Sequence, residues 1–213
     1  MDGKILLCLS GGGFRAVAFH LGVLKRLQEL GVLQRVDCIS SVSGGSILAA
    51  TYCRMLLEES FCFDRFEERV IAGLKQNLFR RWFWRKALRA VRYASWSTIR
   101  SEEPTVVEAL LEKSFRLDVK LRDLQRRPRL IINATDLNDG QAYYLEATSI
   151  GRGAEPLKNT SGRYLHQDMT LARAVAASAA YPIVMEPVVH EIEINNNQQQ
   201  SMAINGINGV GLD

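Results

Sequence analysis

Apolar and polar positions follow two different rhythms in the first quarter of the chain. Ile5-Leu6-Leu7-Cys8-Leu9 is a wholly apolar run, so Lys4 to Leu9 reads as a buried strand, and Ser10-Gly11-Gly12-Gly13 after it as a tight loop. From Phe14 to Leu30 the spacing becomes helical. Val17, Leu21, Leu24 and Gln28 fall at i, i+4, i+7 and i+11, and Gly31 follows as a helix stop. Val36 to Val42 is a second short apolar strand, Ser43-Gly44-Gly45 a sharp turn, and Ser46 to Glu58 a second helix. Strand, glycine loop, helix, strand, turn and helix in succession make a βαβα unit, which implies a parallel, sandwiched sheet.

The rest of the chain is less regular. Pro104 opens a helix through Lys113, since proline suits a first turn. Arg129 to Thr135 and Gln141 to Ala147 flank Asn138-Asp139-Gly140, a hairpin signal. Asp168 or Thr170 caps an alanine-rich helix, Leu171 to Ala180, that ends before Pro182. Asn195 to Gln200 is a polar low-complexity run that reads as a surface loop, and Ser201 to Asp213 then alternates apolar and small residues. No internal repeat and no domain linker is visible, so 1–213 is read as one domain, with a helical, basic-aromatic insertion at 60–115.

Composition narrows the class. With 213 residues, 47% hydrophobic and 23% charged, the chain is one globular domain rather than a disordered or collagen-like one. No apolar run approaches the roughly 20 residues of a spanning helix, and no export signal is seen. Cys8, Cys38, Cys53 and Cys62 show neither C-x-x-C nor a histidine at zinc-site spacing. They are read as reduced and structural in a cytoplasmic protein, Cys8 and Cys38 as small hydrophobes within strands. Neither metal nor cofactor is expected.

The charge changes the picture locally. The chain carries 27 Lys and Arg against 23 Asp and Glu, a net of +4. Lys75 to Arg100 holds eight basic residues and no acidic one, so the remainder has 19 against 23. All three tryptophans (Trp82, Trp84, Trp96) lie in the same stretch. Indoles among cations suit a membrane interface. The alternative is a helix with its rings packed inward and its arginines in water. No nucleic-acid partner is expected.

The glycine turns carry the candidate chemistry. Glycines at Gly11, Gly12 and Gly13, between a strand and a helix start, let backbone N–H groups converge beside a positive helix end, a nest for a phosphate or an oxyanion. As a dinucleotide fingerprint the loop is incomplete, since Ala16 stands at the third glycine and no acidic residue clearly ends the second strand. Ser41-Val42-Ser43-Gly44-Gly45 has the strand-turn-helix setting of a nucleophile elbow. Among Ser40, Ser41, Ser43 and Ser46, only Ser43 follows the strand and precedes two glycines. A base is harder to assign. His20 lies in the first helix and reads as packing, whereas Ser43, Asp139 or Asp168, and His190 give only an arithmetically possible order.

These residues resemble the patatin-like phospholipase family in its bacterial form. The resemblance rests on Gly11-Gly12-Gly13-Phe14-Arg15, Ser41-Val42-Ser43-Gly44-Gly45, Asn133-Ala134-Thr135-Asp136-Leu137, and the stretch Ala172 to Pro187 with Ala176-Ala177-Ser178-Ala179-Ala180-Tyr181-Pro182. It implies a three-layer α/β/α sandwich with a mainly parallel central sheet and a Ser–Asp dyad without histidine. By that resemblance Ser43 is the nucleophile, Gly11, Gly12, Gly13 and Gly44 supply the oxyanion hole, Arg15 supports the loop, and Asp213 is the dyad aspartate. The family's aspartate stands in Asp-Gly-Gly or Asp-Gly-Ala, and here the residues after Asp213 are missing, so the chain is expected to be a fragment of a longer one. Ser41 and Ala16 replace two family glycines. The implied function is a serine acyl hydrolase of phospholipase A or lysophospholipase type, cleaving carboxylic esters of membrane lipids, peripheral on the membrane through Lys75 to Arg100. An inactive membrane- or partner-binding module of the same fold and a nucleotide-binding α/β protein are the alternatives.

Overall fold

The computed structural model describes residues 3–76, 106–125, 127–136, 140–152, 155–156, 169–180, 188–193 and 199–205. The expected unit is present: β1 (Ile5–Leu9), α1 (Gly13–Glu29), β2 (Val36–Val42) and α2 (Gly44–Met55) follow in order, with one 3-10 turn at Leu33–Arg35. α1 stops where the glycine predicts. Gly31 has φ +65°, its N–H reaches the Gln28 carbonyl at 3.0 Å, and the Val32 N–H reaches Leu27 at 2.9 Å. This Schellman closure needs left-handed backbone, which glycine accepts without a Cβ clash. α2 starts two residues before the expected Ser46, because the glycine turn itself is the first helical turn.

Parallel ladders join β1 to β2 and β2 to β3 (Arg129–Asp136). Leu9 pairs with Ser41 and Ser41 with Ile132, so β1 and β2 end side by side. The loops after them emerge at one edge, the carboxyl end of a parallel sheet, where α/β proteins place their ligands. Beyond β3 the sheet turns antiparallel. β4 (Ala142–Leu145) returns beside β3 as the expected hairpin, and Gly140, at φ +72°, donates its N–H to the Asp136 carbonyl at 2.8 Å. β5 (Ile150–Arg152) and β6 (Glu155–Pro156) extend that edge. β8 (Gln199–Asn205), paired with β7 (Val188–Glu193), meets β3 at Thr135 and Asp136, on the side that β2 has left. Gln199 and Gln200 were expected in a surface loop. They lie in β8 opposite Glu193 and Ile192, because backbone pairing along a ladder tolerates polar side chains that composition assigns to loops.

The core lies on one side of the parallel strands. Leu9, Ile39, Leu130 and Ile132 join Val17, Leu21 and Leu24 of α1 and Leu48 of α2 in a single cluster. Right-handed crossovers between neighbouring strands place both helices on the same face. α3 (Phe63–Lys75) adds Phe66 and Val70, α4 (Val106–Phe115) adds Leu110 and Phe115, and α5 (Leu171–Ala179) adds Leu171 and Val175. Each fully buried aliphatic or aromatic side chain contributes about 1.5–3 kcal/mol. α5 is capped by Thr170 rather than Asp168: its Oγ1 accepts the Arg173 N–H at 3.1 Å. The resulting architecture is the α/β sandwich implied by the resemblance.

The opposite sheet face is less covered. Leu6 is 68% exposed and Cys8 is exposed, while Cys38, Ser40 and Asn133 are half-buried. Cys8 is therefore not the buried small hydrophobe expected of it, since strand parity turns it away from the core. Cys53 does fill that role: it is buried in α2, and burial pushes its thiol up to about 12. All four cysteines are free. No helix among the described residues is long and apolar enough to cross a membrane.

Candidate active site

The glycine loop leaves β1 and enters α1 with Gly12 at φ +137° and Gly13 at φ +60°. Both are exposed, as are Phe14 and Arg15 at the start of α1. The loop is tied from behind. His20 Nε2 lies 3.2 Å from both the hydroxyl and the carbonyl oxygen of Ser10. His20 is 6% exposed, so the reading of it as helix packing holds, but it also anchors the residue from which the loop departs.

The second turn is strained. Ser43 joins β2 to α2 at φ 54°, ψ −121°. Ser40 and Ser41 lie in β2 and Ser46 in α2, so Ser43 alone of the four stands on the turn. A non-glycine residue in such a region costs on the order of 1–3 kcal/mol and persists only where its surroundings hold it. The hold comes from buried hydroxyls. The Ser43 N–H donates to Ser178 Oγ at 2.9 Å, Ser178 Oγ donates to the Asn133 carbonyl at 2.6 Å, and Ser46 Oγ lies 2.9 Å from Ser178 Oγ. Ser46 Oγ is also 3.2 Å from Ser41 Oγ, which donates to the Ile131 carbonyl at 3.2 Å. On the other side Asn133 Nδ2 donates to Ser40 Oγ at 2.9 Å and to the Ser41 carbonyl at 3.0 Å. Ser40 and Ser41 in the strand and Ser46 in α2 thus have a structural use, leaving Ser43 free to present its side chain.

The two turns touch. A Cβ added at Gly44 would overlap the Gly13 carbonyl oxygen, and one at Gly45 would come within 2.8 Å of the Ser10 carbonyl oxygen. Only glycine permits this approach, and it brings the backbone of the loop at Gly13 next to the first turn of α2. N–H groups in a first helical turn have no carbonyl one turn earlier to bond. Such N–H groups, where they converge beside a serine hydroxyl, can stabilise negative charge developing on a carbonyl oxygen attacked by that hydroxyl. Of the site residues expected from sequence, Ser43 and Gly44 meet Gly13, Gly11 and Gly12 precede Gly13 in the same loop, and Arg15 is exposed on α1. Asp213 lies outside the described residues, as do Asp139, Asp168 and His166. His190 falls in β7, opposite Met202. Of the basic-aromatic stretch, Lys75 and Gln76 are described and 77–100 lie outside.

Sequence reasoning assigned no role to Ser178, Asn133 or Ser10. Ser178 and Asn133 stand in stretches that carry the family resemblance, and Ser178 is in addition a single hydroxyl in an alanine run, Ala176-Ala177-Ser178-Ala179-Ala180. An isolated polar side chain in an otherwise apolar, buried helix needs a partner.

Comparison with known proteins identifies the family and the fold. The family model of the patatin-like phospholipases matches residues 7–197. Curated proteins compared by sequence yield no match. Among solved structures, human GIVD cytosolic phospholipase A2 is similar in fold, with TM-score 0.53 and 16% identity over 85% of this chain and 30% of that one. The same human enzyme in complex with methyl gamma-linolenyl fluorophosphonate gives TM-score 0.52 and 20% identity, over 83% of this chain and 29% of that one. The chain thus spans less than a third of the length of these structures. The match of the family model over nearly the whole sequence, together with the paired glycine turns at the carboxyl edge of the sheet, places this chain in the patatin-like phospholipase family.

Proposed function

We propose that this chain is the hydrolytic part of a lipid acyl hydrolase with Ser43 as nucleophile. The observation that carries the reading is the contact of Gly44 with Gly13 beside a serine held at φ 54°. Ser43 Oγ attacks the ester carbonyl of a phospholipid or related lipid. Its proton passes to Asp213, the aspartate implied by the family's dyad, and from there to the departing alcohol. The N–H groups of Gly11, Gly12, Gly13 and Gly44 hold the oxyanion, each well-placed donor contributing about 3–4 kcal/mol to the transition state. Arg15 keeps the loop electropositive. Water, deprotonated by the same aspartate, then releases the fatty acid and restores Ser43. Lys75 to Arg100 is the segment assigned to the surface of an anionic membrane.

The test is labelling with a fluorophosphonate, the reagent class that the human neighbour's structure contains, followed by peptide mapping. The expected outcome is a single adduct on Ser43, absent in Ser43→Ala, together with release of fatty acid from phospholipid vesicles. A folded protein that takes no label would overturn the reading.

A further inference from the structure

We infer that Ser178, through a hydroxyl that touches no reacting atom, is the positioning residue of the nucleophile, and that its bond to Ser43 decides which amides remain for the oxyanion. The inference rests on the proposed role of Ser43. A serine inside a helix ordinarily bonds back to its own helix one turn earlier. Ser178 does otherwise. Its hydroxyl is 0% exposed and joins three other elements: the Asn133 carbonyl of β3 at 2.6 Å, the turn amide of Ser43 at 2.9 Å, and Ser46 Oγ of α2 at 2.9 Å.

The protons can be assigned from the partners. The Asn133 carbonyl has no hydrogen to give, so Ser178 donates its own proton there. The Ser43 N–H can only donate, so it takes one lone pair of Ser178 Oγ. Ser46 has one proton for two neighbouring hydroxyls, Ser178 Oγ at 2.9 Å and Ser41 Oγ at 3.2 Å, and shares it between them. The donation to Asn133 and the acceptance from Ser43 together set the rotation of the hydroxyl. Two consequences follow. The Ser43 amide is consumed and cannot also serve an oxyanion, which leaves the Gly44 amide as the elbow's contribution. The strained φ of Ser43 is fixed by a clamp whose other jaw is β3, so Ser43 Oγ is held in a constant place relative to the glycine loop.

The experiment compares inactivation rates with a small fluorophosphonate, steady-state kinetics on a short soluble ester, and melting temperature across wild type, Ser178→Ala, Ser178→Cys and Ser46→Ala. Ser178→Ala is expected to lower kcat and the labelling rate by about 10²-fold, the cost of a nucleophile displaced by roughly 1 Å, with KM nearly unchanged. Ser46→Ala removes a hydroxyl from the same buried chain without touching Ser43. It should lower the melting temperature comparably while labelling at nearly the wild-type rate. Ser178→Cys, with a weaker donor and acceptor in the same place, should fall between, and it carries the comparison with Ser46→Ala if Ser178→Ala does not fold. Labelling of wild type and Ser178→Ala at equal rates would overturn the positioning role and leave the hydrolase reading intact. So would losses in the Ser178 and Ser46 variants that simply track their melting temperatures. A wild type that takes no label would remove both together.

Discussion

The two turns that meet at the end of the sheet are built by opposite means. The elbow puts a side-chain-bearing residue, Ser43, at φ 54° and encloses it with Ser178, Ser46, Ser41 and Asn133. The loop uses glycines at φ +137° and +60°, stays exposed, and is tied at its root by His20 to Ser10. Under the proposed function, the difference reflects what each must present. A nucleophile requires a side chain, so the elbow cannot relieve its strain with glycine and needs a buried scaffold to hold it. An oxyanion site requires only backbone N–H groups, so the loop can dispense with side chains and with most of the scaffold.

The contrast can be broken at its point of contact. Gly44→Ala drives a methyl group into the Gly13 carbonyl and should separate the turns. A loss of about 10²-fold in ester turnover and of about 1–3 kcal/mol in stability is expected, read by kinetics and urea denaturation. A rate equal to wild type would show that the turns do not act together. Ser43→Gly tests the strain. It should abolish labelling yet raise stability by about 2 kcal/mol, since glycine tolerates the elbow's backbone, and a less stable variant would refute a strained elbow. Gly13→Ala sharpens the other side. An added Cβ there meets nothing within 4 Å, so only the left-handed backbone penalty of about 1 kcal/mol should appear in denaturation. A larger loss would mean that the loop is more tightly built than its exposure indicates.

Much of the first half of this arrangement is legible in the sequence, because it depends on local periodicity. β2 was expected at Val36–Val42 and lies there. α1 is bounded by glycines whose backbone freedom has a local cause, and the elbow is named by two glycines after a strand. Local patterns do not reach the clamp. Ser178 is 135 positions from Ser43, and an alanine-rich helix carries no mark of which hydroxyl it will meet. The same holds for Cys8. The apolar run around it resembles a strand buried on both faces, and only the packing of α1 and α2 on one side shows that its own side is exposed. Gln199 and Gln200 were assigned by composition, whereas their partners on β7 are chosen by a ladder that composition does not encode.

β1 stands at the end of the described strand order, and its register with β2 shifts between Ile5 and Leu6. The glycine loop begins a single residue after this strand, at Ser10, so the gap between Gly13 and Gly44 is a matter of strand registry. A slip of two residues would keep Leu7 and Leu9 facing the helices while carrying the loop about 7 Å along the sheet, out of reach of the elbow. Among the described strands β1 has one partner, so its release breaks one ladder rather than two. Detachment of β1 would therefore carry the glycine loop away from the elbow while β2 and β3 stay paired.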